Sequence, residues 1–283
     1  IMDSVRAFFR ERDFLEVETP VRVPSIAPEV YIEPVESGDW FLATSPELHM
    51  KRLLAAGYER IFQLSRCFRR GERGRLHNPE FTMLEWYRAN ADYEDIIKDT
   101  EDLVLHLSGG KTLNYRGVDI NLTGPWPRMT VRDVYLQKAG WDPVNDYDDL
   151  RFDTEFLEKI QPSFPANRPT VIMDYPAAAA ALARLKPGHE QVAERAEVFI
   201  GGLELANIYS ELVDRAEQEK RFRESIDEIR KVRRAPPIST DFMEALDYLP
   251  ACGGVALGVD RLVMLLCNAA SIDEVMAFTS DNA

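Results

Sequence analysis

Phe68-Arg69-Arg70-Gly71-Glu72-Arg73-Gly74-Arg75-Leu76-His77-Asn78-Pro79-Glu80-Phe81-Thr82-Met83-Leu84-Glu85-Trp86-Tyr87 is the stretch on which the reading of this chain turns. Residues 59–69 and 80–88 are strand-like, and the loop between them is polar and bears two glycines. The spacing predicts an antiparallel hairpin. Arg66, Arg69, Arg70, Arg73 and Arg75 crowd it, although the chain as a whole is acidic, with 34 Lys and Arg against 48 Asp and Glu and a net charge of −14. Arg69 stands at a strand end beside the loop, where a guanidinium grips a phosphate bidentately. Taken alone, the cluster also fits a solvated hairpin tip.

Working outward, two further segments carry charge or glycine where a sheet should be apolar. Glu197–Ile200, Gly201-Gly202 and Leu203–Leu212 read as two strands joined by a tight turn, the second holding Glu204-Leu205-Ala206-Asn207-Ile208-Tyr209-Ser210-Glu211. Glu204 and Glu211 are seven apart. In a regular strand they face opposite sides, and only a bulge or strand end brings them together. Two carboxylates near a phosphate site suit Mg²⁺, which takes hard oxygen ligands. The third segment is Gly253-Gly254-Val255-Ala256-Leu257-Gly258-Val259-Asp260-Arg261, a glycine-rich strand running into a helix. It is neither a GxGxxG nor a Walker loop.

The rest follows the usual signals. Ile1, Val5, Phe8 and Phe9 form a helical stripe, and Phe14–Thr19 reads as a strand stopped by Pro20. Ser45-Pro46-Glu47 opens a helix with Ser45 as its cap, ending near Gly57. Helices are expected at about 93–107, from Thr130 to Gly140, over 215–234 and over 259–267, and Ala177–Ala181 reads as a packed helix start. Helices alternating with hairpins predict an α+β fold built on an antiparallel sheet flanked by helices.

A chain of 283 residues with 45% apolar composition folds without staples. Its acidity excludes binding nucleic acid by bulk charge. Cys67, Cys252 and Cys267 show no metal-ligand spacing and read as free thiols of a cytoplasmic protein. No run of about 18 apolar residues suggests a membrane span, and no signal peptide is apparent at the start, Ile1.

The motifs together resemble those of class II aminoacyl-tRNA synthetases. Phe14-Leu15-Glu16-Val17-Glu18-Thr19-Pro20 with its preceding helix is similar to motif 1. Phe68-Arg69 through His77-Asn78-Pro79-Glu80-Phe81-Thr82-Met83-Leu84-Glu85-Trp86-Tyr87 is similar to motif 2 of the lysine branch, and Gly258-Val259-Asp260-Arg261 to motif 3. Thr44-Ser45-Pro46-Glu47 and Glu204-Leu205-Ala206-Asn207 with Glu211 complete the pattern across the whole chain. The resemblance implies one catalytic domain over 1–283. Lysine–tRNA ligases carry an anticodon-binding OB-fold domain before motif 1, and none precedes it here. That arrangement looks most like the stand-alone branch that joins (R)-β-lysine to elongation factor P. Ser45 in place of the tRNA ligases' Ala, and Ala256 in place of their Gly, point the same way.

The resemblance implies an aminoacyl-adenylate formed from ATP and a lysine-type amino acid, with Mg²⁺, followed by transfer to a lysine side chain of elongation factor P. Arg69 and Arg261 are then the catalytic residues, on the α- and γ-phosphates. Arg70, Gly71, Glu72, Asn78, Glu204, Leu205 and Gly258 join them in binding ATP. Ser45, Pro46, Glu47, Tyr87, Glu211 and Ala256 form the amino-acid pocket, and Glu204 and Glu211 hold the metal. A homodimer is implied through motif 1, whose apolar surface Ile1, Val5, Phe8, Phe9 and Phe14–Val17 would supply. tRNA is not the expected acceptor; the five-arginine hairpin instead suits an acidic protein partner. Two departures stand out. Where the family reads Phe-Arg-Asn-Glu, this chain has Phe68-Arg69-Arg70-Gly71, with Glu72 one place later; and Ile208 replaces a Gly, which would narrow the pocket. Two other readings are a lysine–tRNA ligase core without its anticodon domain, and a regulatory relative that binds without turnover.

Overall fold

The structure is a computed structural model describing residues 1–283. Its centre is a nine-stranded sheet. In chain order the strands are β1 (Leu15–Glu16), β2 (Arg60–Phe68), β3 (Glu80–Ala89), β4 (Arg128–Thr130), β5 (Thr170–Pro176), β6 (Leu185–Lys186), β7 (His189–Ile200), β8 (Leu203–Ser210) and β9 (Cys252–Gly258). In space they run β1-β2-β3-β9-β8-β7-β5-β4, with β6 paired to β7. The hairpin read from the sequence is β2–β3, in register from Arg60 opposite Arg88 to Phe68 opposite Glu80. All pairings are antiparallel except β1 with β2 and β4 with β5 at the two edges. The expected α+β architecture is present.

Alternation splits the sheet into two chemically different faces. Phe62, Leu84, Trp86, Val255, Leu257, Ile208 and Val198 point to one side, into the main core. Helices α1 (Met2–Arg10), α3 (Tyr93–Ser108) and α8 (Val259–Leu266) cover that side, while α4 (Val131–Lys138) and α5 (Asp149–Glu155) form a separate cluster with Ile172 and Tyr175 of β5. Helix α3 starts on a reciprocal capping box between Asp92 and Asp95 and stops at left-handed Gly109. The α1 stripe packs inward: Phe9 stacks on Phe62 with centroids 4.7 Å apart. Val5, Phe8 and Phe9 are fully buried within this chain. They therefore supply no surface to a dimer, contrary to the sequence expectation; of that set, Ile1 and Leu15 remain exposed.

The opposite face is the polar one. There α2 (Glu47–Ala55), α6 (Arg215–Ile229) and α7 (Thr240–Ala245) build a second core around Ile61, Tyr87 and Cys252. A β-bulge organises this face. Val198 pairs with Ala206 and Phe199 with Glu204, so Leu205 is an extra residue in β8. Leu205 and Ala206 both pack into the main core. Glu204 thereby faces the same side as Asn207 and Tyr209, with which it lines one cavity. Ile208 falls on the core side and is fully buried there, so it does not narrow the pocket as its place in the motif suggested.

Several local expectations shift. The motif 1 strand contracts to Leu15–Glu16, an edge segment pairing only with β2. Ala177–Ala179 forms a single 3₁₀ turn, not a helix start. Helix α6 ends at Ile229, and Arg233 beyond it turns back to donate to the carbonyls of Glu29 (3.0 Å), Val30 (2.8 Å) and Ile32 (2.8 Å). Ser45 lies one residue before the α2 cap, Pro46. The three cysteines are free, and burial pushes the thiols of Cys67 and Cys252 up to about 12. No helix is long and apolar enough to cross a membrane.

Candidate active site

The polar face carries a cavity of about 280 Å³, walled by β3, β8, β9, the loop between β2 and β3, and the segment before α2. Ser45, Glu47, Arg69, Glu72, Asn78, Tyr87, Glu204, Leu205, Ala256, Gly258 and Arg261 all line it. Residues far apart in sequence therefore converge as the motifs suggested. Pro46, Arg70, Gly71 and Glu211 are not in the lining. Arg70 points outward, its guanidinium 3.5 Å from Glu33, and Gly71 sits at the exposed loop tip with φ +75°. Neither lines the cavity. Glu72 does, 3.8 Å from Arg69, so the one-place shift of the acidic residue preserves a carboxylate in the lining.

One end of the cavity is cationic. The Arg69 guanidinium lies over the Phe81 ring at 5.2 Å, and its buried Nε has no acceptor. A buried, unpaired guanidinium donor is costly without an anion. Arg261 opposes it from the start of α8. Its guanidinium donates to the Glu204 carbonyl (3.0 Å) and the Leu76 carbonyl (3.3 Å), and lies 2.5 Å from Nε2 of His77. Burial and Arg261 lower the His77 pKa, so the neutral ring accepts from the guanidinium. His77 thus positions Arg261. The Asn78 side chain ties the loop together: its amide donates to the Glu80 carbonyl (2.6 Å) and its oxygen accepts from Ser280 N (3.0 Å). The other arginines of the hairpin are engaged locally. Arg73 bonds Asp273 and Asp281, and Arg75 bonds the Ala270 carbonyl. Arg73 is thus neutralised by carboxylates, whereas Arg75, bonded only to a carbonyl, keeps its charge.

The other end is anionic, and its central residue escaped sequence reading. Glu85 is 1% exposed in the middle of β3. It accepts from Ser45 Oγ (2.7 Å) and from the Tyr87 hydroxyl (2.8 Å). Burial, with help from the Glu47 charge, lifts its pKa to about 8. The available signal was a glutamate between Leu84 and Trp86 in an apolar strand. Lys51 is the second omission. It is 1% exposed, bonds Glu47 one turn earlier in α2, and lies 2.5 Å from Glu211. Burial works against its charge, but the two carboxylates outweigh this and hold its pKa above the ordinary value. Glycine at 254 is required here, because a Cβ would overlap the Glu211 carboxylate and the Tyr87 ring. Ala256 lies opposite Glu85 on β3 and Asn207 on β8, so its methyl sits over the floor of this end.

The pairing of Glu204 with Glu211 as ligands of one metal is corrected by the geometry. The bulge does put both on one face, but at opposite ends of a strand rising about 3.3 Å per residue. Glu211 is committed to Lys51. The carboxylate beside Glu204 is Glu197, across the hairpin on β7, where Phe199 pairs with Glu204 and Glu197 with Asn207. Burial raises the pKa of Glu197; Arg195, at 2.7 Å, opposes this, and the like charge of Glu204 adds to it. Glu197 was read only as the start of a strand.

The comparisons agree with this geometry. The sequence model of the family "tRNA synthetases class II (D, K and N)" matches residues 1–282. A protein of Klebsiella pneumoniae (strain 342), "Elongation factor P--(R)-beta-lysine ligase", is 41% identical over 305 aligned positions, covering 100% of this chain and 94% of the relative. Proteins with the same name from Enterobacter sp. (strain 638) and Erwinia tasmaniensis are 39% and 40% identical, over 100% and 99% of this chain and 94% and 93% of theirs. A half-buried arginine pair facing a carboxylate-lined pocket across an antiparallel sheet, and a family match over nearly every residue, lead to one conclusion: the chain belongs to the class II tRNA synthetases of the D, K and N group.

Proposed function

We propose that the protein is an ATP-dependent ligase that activates (R)-β-lysine as its adenylate and passes the acyl group to a lysine side chain of elongation factor P. The observation that carries the amino-acid part is the charge count at the anionic end. Glu47, Glu85 and Glu211 supply three carboxylates and Lys51 one ammonium, so 3 − 1 leaves two negative charges when all are ionised. A lysine-type acid brings two ammonium groups. Buried carboxylates without counter-charges are unfavourable, so the pocket is built for such a ligand.

In the first step the amino-acid carboxylate attacks the α-phosphorus of ATP, and the bond to pyrophosphate breaks. Arg69, with its unpaired buried donor, stabilises charge on the α-phosphate, and Arg261 takes the far end of the triphosphate. In the second step the neutral acceptor amine attacks the acyl carbon and the nucleotide phosphate leaves. The protein contributes position and fixed charge and no covalent nucleophile. Glu204 suits Mg²⁺, which is held by one or two carboxylates and takes its remaining oxygens from phosphates and water, whereas Glu197 beside it is bonded to Arg195 at 2.7 Å. Bound there, the ion would neutralise triphosphate charge. Glu211 backs the amino-acid pocket through Lys51.

We further propose a homodimer through the exposed apolar residues Leu15 and Val21 around motif 1, checked by light scattering at micromolar concentration. The function is tested by ATP–pyrophosphate exchange with (R)-β-lysine, α-lysine and acids lacking a distal amine. Exchange only with lysine-type acids is expected. Absence of exchange with all of them refutes the reading.

A further inference from the structure

Six carboxylates line the cavity: Glu29, Glu47, Glu72, Glu85, Glu204 and Asp260. Five have partners. Glu47 bonds Lys51, Glu72 faces Arg69 at 3.8 Å, Glu85 accepts from Ser45 and Tyr87, Glu204 faces Arg261 at 3.4 Å, and Asp260 accepts from Thr82 N at 2.8 Å. Glu29 alone has no side-chain hydrogen bond or ion pair. Its loop is nonetheless firmly built. Arg233 grips the Glu29, Val30 and Ile32 carbonyls together, and Ser25 Oγ donates to the Pro237 carbonyl at 2.5 Å. A carboxylate held by its backbone at a cavity wall, with its oxygens unused, is arranged for a ligand.

Its surroundings say which part of the ligand. The charged groups acting on Glu29 are, in order, Arg69, Glu47, Arg195 and Glu72. It shares the cavity wall with Arg69, at the cationic end, and with Glu47, at the edge of the carboxylate pocket. Under the proposed function, on which this inference rests, the amino-acid carboxyl must approach Arg69 to attack the α-phosphorus. The distal ammonium goes to the Glu85 end. The amino group nearest the carboxyl, one or two carbons from the reacting centre, then falls between Arg69 and Glu47. We infer that Glu29 is a specificity-determining residue that receives this proximal ammonium, sharing it with Glu47 and so accepting an amino group placed farther from the carboxyl than Glu47 alone would serve. Lys51 already occupies part of the Glu47 carboxylate, which makes a second acceptor necessary.

The test compares Glu29→Gln with the unaltered protein on two ligands: (R)-β-lysine, and 6-aminohexanoate, which keeps the carboxyl and distal ammonium and lacks the proximal one. The substitution is nearly isosteric, and Arg233 bonds only the backbone of the loop, so the fold should persist. The KM for (R)-β-lysine in ATP–pyrophosphate exchange is expected to rise on the order of 10- to 100-fold, the worth of one hydrogen bond to a charged group. The inhibition constant of 6-aminohexanoate against the same reaction should move less than about threefold. Parallel shifts in both constants would mean a packing effect, and no shift in either would mean no contact; both overturn the inference. An unaltered protein inactive with every lysine-type acid would instead refute the proposed function, so the two failures are distinct.

Discussion

Glu85 gives the pocket a pH dependence whose sign can be worked out. Its ordinary pKa of 4.5 is raised to about 8, first by burial and then by the Glu47 charge. Ser45 and Tyr87 oppose the shift, and Glu211, with Lys51 against it, is the other charge at that end. An ammonium ligand needs the ionised form. Below pH 8 its binding must therefore expel a proton, and affinity should gain about tenfold per pH unit, or about 1.4 kcal/mol. From pH 6 to 8, where the group is half ionised, the gain is about 50-fold, and it levels off above about pH 9. Glu211 is raised in the same direction by burial, so any contribution it makes adds to the slope. The unliganded fold shows the reverse trend. A carboxyl whose folded value lies above its unfolded one contributes stability that is complete below about pH 4.5 and lost as the pH climbs through about 8. Titration calorimetry with (R)-β-lysine at pH 6, 7 and 8, in buffers of different ionisation enthalpy, reads both affinity and proton release. Glu85→Gln should flatten the profile. An affinity constant from pH 6 to 8, with no proton released at pH 7, would refute the assignment of Glu85 as an ammonium acceptor.

Other substitutions probe the rest of the cavity. Arg69→Ala and Arg261→Ala should each cut pyrophosphate exchange by about 10²–10³-fold while circular dichroism stays native; near-normal exchange in either removes its phosphate role. Gly254→Ala places a methyl against Glu211 and Tyr87, so it should destabilise the fold by about 1–3 kcal/mol, read as a lower Tm, and an unchanged Tm contradicts the packing described. Ala256→Gly removes the methyl over the pocket floor and should shift the efficiency ratio toward α-lysine by roughly 10–200-fold; an unchanged ratio in exchange assays denies it a part in selection.

The sequence made the hairpin, the glycine-rich strand and the amphipathic helices legible, because each rests on local periodicity or turn chemistry. The cationic end was also visible, since Arg69 and Arg261 sit at motif ends where charge is conspicuous. What escaped was set by pairing across strands. The extra residue Leu205 turns Glu204 toward the cavity and Ile208 away from it, and no strand-period count shows a bulge. That one feature decides against Ile208 as a pocket residue and puts Glu204 on the cavity side. Lys51 and Glu85 were hidden differently: each is an ordinary charged residue in its own element, and only the approach of α2 to β3 and β8 buries them together. Val5, Phe8 and Phe9 were assigned to a subunit interface because a helical stripe alone does not say whether its own sheet or another subunit covers it.

The most direct measurement of the central claim is acceptor choice. Purified protein would be incubated with ATP, Mg²⁺ and (R)-β-lysine in the presence of either elongation factor P or lysine tRNA, with intact-mass analysis of the protein and acid-gel analysis of the tRNA. Elongation factor P is expected to gain the mass of one lysyl group on a lysine side chain, with (R)-β-lysine preferred over α-lysine, and the tRNA to stay largely uncharged. Efficient charging of the tRNA with α-lysine, with elongation factor P unmodified, would contradict that claim.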